Sequence, residues 1–130
     1  MPLYSRKPTI LIAGGGPETL NSNNTYWMGD HIGRGLSTTE GQRDIKIIGN
    51  WTIIGVRLSQ RSQTAATGTN AGSAIQLNLK NRGSGSLYTN LLSFTANSQV
   101  PDNPTATGLN IPVSDGQSIS FYFTVPNYSG

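Results

Sequence analysis

The stretch Ile75-Gln76-Leu77-Asn78-Leu79-Lys80-Asn81-Arg82-Gly83-Ser84-Gly85-Ser86-Leu87-Tyr88-Thr89-Asn90-Leu91-Leu92-Ser93-Phe94 decides the fold class of this chain. From Ile75 to Leu79 every second residue is apolar, which places one face in a core and the other in water. That is the period of a strand and not of a helix. Asn81-Arg82-Gly83 then interrupts the pattern before the run Leu87 to Phe94. Asn bonds back to its own backbone and Gly accepts positive φ, so the triplet reads as a tight turn. Ile119-Ser120-Phe121-Tyr122-Phe123-Thr124-Val125 repeats the alternation after a second turn signal, Ser114-Asp115-Gly116.

Composition agrees with an all-β reading. The chain has 130 residues, the size of one domain that buries a core without staples. Its 16 Gly and 7 Pro, with abundant Ser, Thr and Asn, favour turns and strands over helices. The net charge is +3, but no basic run is longer than Arg6-Lys7, so the stripe expected of a nucleic-acid binder is missing. Mild basicity suits docking onto an acidic protein surface. Cysteine is absent, which excludes disulfides and thiolate metal sites. The apolar run Thr9 to Ala13 is too short for a secretory signal, and no segment has the length needed to span a membrane.

From Asp44 onward the pattern tightens. Strands are expected at 45–48, 51–58, 74–80, 86–95, 107–113 and 117–126, with one more over Thr9–Ala13 and another near Tyr26. Several short strands with turns between them predict a two-sheet sandwich or a barrel. Residues 1–44 read as an extended arm and irregular loops, and 45–130 as the sandwich, in one domain overall. Met1 to Pro8 is the arm proper, with two prolines and a basic pair.

Motifs for chemistry dissolve on inspection. Thr9-Ile10-Leu11-Ile12-Ala13-Gly14-Gly15-Gly16-Pro17 has the look of a dinucleotide-binding turn, but Thr19 stands where a third glycine belongs. Asn21-Ser22-Asn23-Asn24 then follows in place of a helix. His31 is the only histidine and has no recognisable triad around it. Glu18, Asp30, Glu40, Asp44, Asp102 and Asp115 show no metal-ligand spacing, and most sit in turn sequences. No catalytic residue, metal ligand or cofactor is therefore assigned, and the chain reads as a non-enzyme. Trp51, inside an alternating strand, is expected in the core. Tyr26 and Trp27, in a Gly-rich setting, are candidates for contact with a partner or a glycan.

Three segments carry a family resemblance: Gly49 to Leu58, Ile75 to Gly83 and Val113 to Phe121. Their order of small turn, strand, Lys-Asn-x-Gly turn, glycine turn and final strand resembles small jelly-roll domains of bacteriophage virion proteins. Those domains are related in architecture to the trimeric tumour-necrosis-factor and C1q-like folds. The resemblance covers about residues 45–126; Asp115-Gly116 reverses the family's usual Gly-Asp order, and Arg82 intrudes before Gly83.

The resemblance implies an antiparallel two-sheet jelly-roll sandwich with an extended N-terminal arm. It further implies a homotrimer on the surface of a virus particle, made in the host cytoplasm. The expected function is that of a capsid decoration (cement) protein bound to the major capsid protein, with neither nucleic acid nor membrane as partner. Leu3, Tyr4, Arg6 and Lys7 of the arm would dock on the shell, the apolar pair anchoring and the basic pair meeting acidic groups. The outer face of the last strand, Ser118, Ser120, Tyr122 and Thr124, would pack near the threefold axis. Tyr122 is the only large residue there and is the expected trimer contact. A tail-fibre or lectin-like module recognising bacterial surface glycans is the alternative from a different functional class.

Overall fold

The computed structural model describes residues 11–13, 20–29, 36–59, 72–95 and 103–128. Nine strands run in chain order: β1 (Thr25–Met28), β2 (Ile45–Lys46), β3 (Trp51–Ile53), β4 (Val56–Arg57), β5 (Ile75–Asn81), β6 (Leu87–Phe94), β7 (Thr105–Ala106), β8 (Ile111–Val113) and β9 (Ser118–Thr124). All pairings are antiparallel, and no helix occurs among the described residues. The main sheet has the order β1-β9-β5-β6, with β2 beside β1 on the same edge of β9. The ribbons β3-β8 and β4-β7 form the other layer.

The pairing is nested. The first strands pair with the last (Tyr26↔Phe123, Ile45↔Ile119), the next with the next to last (Ile53↔Ile111, Val56↔Ala106), and β5 with β6 closes the middle as a hairpin. Each step from Ile45 to Ile53 is matched by one step back from Ile119 to Ile111, across the corner between the layers. That corner is stitched by side chains. The Asp115 Oδ1 accepts the Gly49 N–H at 2.7 Å, and the Asn50 Oδ1 accepts the Asp115 N–H at 3.0 Å. Gly116 sits at φ 81°, where a side chain would be strained, and its N–H reaches the Ile47 carbonyl at 2.9 Å.

The strand period decides what is buried. Ile75, Leu77 and Leu79 of β5, Ile119 and Phe123 of β9, and Tyr26 and Met28 of β1 point to the inner face and are buried. Trp51, Ile53, Val56, Leu58, Ile111 and Val113 pack onto them from the ribbons. Phe123 holds the centre, stacked on Tyr26 at 5.7 Å and edge-on to Phe94 at 5.4 Å.

Several expectations are corrected here. Leu11–Ala13 belong to no strand, whereas Thr9 and Ile10 lie outside the described residues. A β-prone run becomes a strand only when an edge pairs with it. The expected strand at 51–58 is broken at Ile54-Gly55, and 107–113 narrows to β8 with β7 before it, because the two sides hold unequal numbers of residues there. Ile48 and Ile54 are accordingly 85% and 57% exposed. The strand expected near Tyr26 is β1, so the main sheet starts at Thr25, well before Asp44.

Candidate functional site

The first region of interest is the outer face of the main sheet. Trp27 of β1 and Tyr122 of β9 are cross-strand partners there and stack at 4.6 Å. Between β1 and β2 the chain leaves the sheet and returns. At the neck of this excursion a Cβ on Gly29 would collide with the Arg43 carbonyl, so only glycine fits. Ser37 then pairs with Trp27 through reciprocal backbone bonds of 2.7 and 3.1 Å. The excursion continues over the outer face to β5, where the Glu40 carboxylate meets both Lys80 and Arg82, the latter at 2.9 Å. Arg82 also holds Asp44 at 2.7 Å through its Nε. Ser120, the partner of Lys80 in the ladder, is fully buried beneath this cluster. The Lys80 hydrogen bond is the largest cause holding the Glu40 carboxyl below its ordinary range; partial burial opposes it, and the charge of Lys80 and then Arg82 reinforce it.

The second region is a groove of about 740 Å³ between the layers. Its floor is Met28, Leu77 and Phe121 of the main sheet, its wall is residues 48–58, and Leu11 and Ala13 close one side. The layers are unequal here: the floor sheet is four strands wide, and the ribbon above is only two. Among the described residues one edge of β3 and β4 has no strand beside it, since β3 pairs with β8 and β4 with β7. Thr52 is paired with Pro112, which has no N–H. This pair must occupy a non-hydrogen-bonded position of the ladder, so the N–H and C=O of Thr52 face that edge.

The sequence-predicted residues fall as follows. Leu3, Tyr4, Arg6 and Lys7 lie outside the described residues, as does His31. Tyr26 is 2% exposed, in the core, and its hydroxyl accepts the Asn21 N–H at 2.8 Å. Trp27 is on the outer face but is 8% exposed, with Ser37 across its edge and Tyr122 against its ring. Both rings are buried in this chain. The cause is the strand period on Tyr26 and the excursion over Trp27. Tyr122 is half-buried on the outer face, where the alternation puts it. Trp51 is half-buried; its indole N–H donates to the Ile48 carbonyl at 3.0 Å.

Sequence reasoning passed over the ion cluster and the groove. Lys80 and Arg82 share strand parity, a signal for one cationic face, but Glu40 and Asp44 come from a segment with no pattern. The signal for that edge of β3 is Pro112, legible only once its partner is known. Comparison with family models, curated proteins and solved structures finds no match to this chain.

Proposed function

We propose that this chain is a non-enzymatic structural protein of a bacteriophage virion, a capsid decoration protein that docks as a homotrimer on a shell of major capsid protein. The nested pairing is the observation that carries this reading. β1 and β2 with β9, β3 with β8 and β4 with β7 make a long antiparallel ribbon rolled over on itself, the plan on which jelly rolls are built. The resemblance of residues 45–126 to that family is the source of the trimer and of the place on a particle. The groove adds a second support. It offers apolar side chains such as Ile48, Ile54 and Phe121, which is the chemistry of protein docking. Leu11 and Ile12, at the root of the arm, are 39% and 65% exposed, a cost in water that a partner removes.

The arm residues Leu3, Tyr4, Arg6 and Lys7 make the contact with the shell. A chain lacking residues 1–8 should match the full chain in size by light scattering. It should fail to co-sediment with undecorated shells that the full chain coats. Equal occupancy by the shortened chain would take the docking role away from the arm. Saturable binding to a bacterial glycan array without binding to shells would replace this reading with that of a receptor-binding module.

A further inference from the structure

We propose that the Asp115–Gly116 pair is a latent modification site, at which the corner between the layers holds off the conversion of aspartate to isoaspartate. The inference is independent of the capsid and trimer readings above.

Asp115 is the only Asp or Asn of the chain that is followed by glycine. Such a pair carries its own chemistry. The backbone nitrogen of the glycine attacks the aspartate Cγ, the new C–N bond closes a succinimide ring, and a carboxyl oxygen leaves as water. Water then opens the ring at either carbonyl. One opening restores aspartate; the other routes the main chain through Cβ as isoaspartate. No reagent besides water is consumed. Glycine favours the attack because no side chain shields its nitrogen. Both Asp115 and Gly116 are exposed, so water reaches the pair.

The fold opposes this step from both sides. The attacking group is engaged, because the Gly116 N–H donates to the Ile47 carbonyl at 2.9 Å. The group under attack is engaged as well, because the Asp115 Oδ1 accepts the Gly49 N–H at 2.7 Å. Both bonds run to residues 47–49, the connection from β2 to β3 on the far side of the corner. The nitrogen and the carboxylate are thus each held by a separate partner instead of meeting each other. The Asp115 N–H is fixed in turn on the Asn50 Oδ1 at 3.0 Å, and the Gln117 N–H on the Ser114 carbonyl at 3.1 Å. Ring closure requires Gly116 to leave Ile47 and the carboxylate to leave Gly49, which is a local opening of the corner. The rate of modification then follows the fraction of time for which the corner is open. Isoaspartate lengthens the main chain by one atom and shortens the reach of the free carboxylate by one. The bonds to Ile47, Gly49 and Asn50 cannot all be remade from it, so an opening that ends in isoaspartate leaves the β2–β3 side untied from the β8–β9 side.

The test incubates the full chain at neutral pH, folded and in urea above its unfolding midpoint. Isoaspartate is read by enzymatic carboxyl methylation and by fragmentation mass spectrometry of the peptide that holds Asp115. It should accumulate at Asp115 in the unfolded chain, and at least about tenfold more slowly in the folded one. Asn50→Ala releases the Asp115 N–H and touches neither reacting group. It should raise the folded-state rate several-fold, with hydrogen exchange of the Gly116 amide rising in step. If that variant loses its circular dichroism signal, the parent chain in urea below its midpoint serves instead, and its rate should climb before global unfolding begins. Equal rates in the folded and unfolded chain would overturn the protection. An unfolded chain with no isoaspartate at Asp115 would overturn the site itself. A folded-state rate that neither Asn50→Ala nor urea below the midpoint changes would overturn the role of the corner.

Discussion

Tyr128 shows how a single side chain is held against its chemistry. It is 8% exposed at the edge of the larger apolar cluster, and its hydroxyl has no hydrogen-bond partner among the described residues. Burial raises its ionisation above the ordinary tyrosine range. A folded-state pKa above the unfolded one means that the contribution to stability is intact below about pH 10 and is lost as pH rises through the folded value. Tyr128→Phe removes the stranded hydroxyl and keeps the ring. It should be neutral or stabilising by up to about 1 kcal/mol in urea unfolding, and should flatten the alkaline limb of stability against pH. A loss above about 2 kcal/mol would mean the hydroxyl has a partner in solution. Asn81 is the opposite case. It is 1% exposed and fully engaged: its Oδ1 accepts the Gly83 and Ser84 N–H groups, and its Nδ2 donates to Gln117 at 2.9 Å. The Gln117 oxygen in turn accepts the Ser114 N–H at 2.8 Å, so one side chain joins two turns. Asn81→Ala strands several buried groups at once and should lower stability by about 2–4 kcal/mol in the same assay.

Among the elements, the excursion between β1 and β2 depends most on long-range contacts. Its described residues, 36–44, have no strand or helix of their own beyond the Ser37 bridge. What fixes it is the neck at Gly29, the two backbone bonds to Trp27 and the Glu40–Lys80–Arg82–Asp44 cluster. The Glu40 side chain is about a third exposed, so water and salt screen these charges, and the pairs contribute little individually. Because the folded-state pKa of Glu40 is lowered, its contribution is present above the ordinary carboxylate range and is lost as pH falls through the lowered value. Glu40→Gln should cost about 1 kcal/mol at neutral pH and less in high salt, and its stability should fall less than the parent's on acidification. Urea midpoints measured across the acid range, with and without salt, give the comparison. A variant that loses stability in parallel with the parent would shift the acid sensitivity to Asp44 or another carboxylate.

For the whole molecule, the pairing order and the unequal layers matter most. The last strand is the centre of the main sheet, bonded to β1 and β2 on one side and to β5 on the other. Its outer face carries Tyr122, stacked on Trp27, with Thr124 bonded to Thr25 at 2.7 Å beside it. In the trimer proposed above this face lies near the axis. Tyr122→Glu would bring like charges together there at a cost of roughly several kcal/mol once desolvation is included. Light scattering should show trimer for the parent and for Tyr122→Phe, which keeps the stack, but monomer for Tyr122→Glu. A trimeric Tyr122→Glu variant would move that face off the axis. Ser120 refines the expectation for this face: the alternation points it outward, but it is fully buried within this chain, which leaves Ser118, Tyr122 and Thr124 to meet a neighbour.

The sequence by itself determined the β class, the β5–β6 hairpin with its Asn81 turn, the Gly116 turn, and which side of β5 and β9 is apolar. These rest on local rules, a period of two and the conformational freedom of particular turn residues, which act over a few positions. It did not determine that Leu11–Ala13 stay unpaired, that Ile48 and Ile54 face water, or that Tyr26 is core and Trp27 covered. Nor did it reveal the groove or the ion cluster. Each of these depends on which segments meet across the chain: Glu40 with Lys80, Thr52 with Pro112, Ser37 with Trp27. A strand pattern states that a residue has an inside and an outside. Only the tertiary structure decides whether another part of the chain comes to cover it.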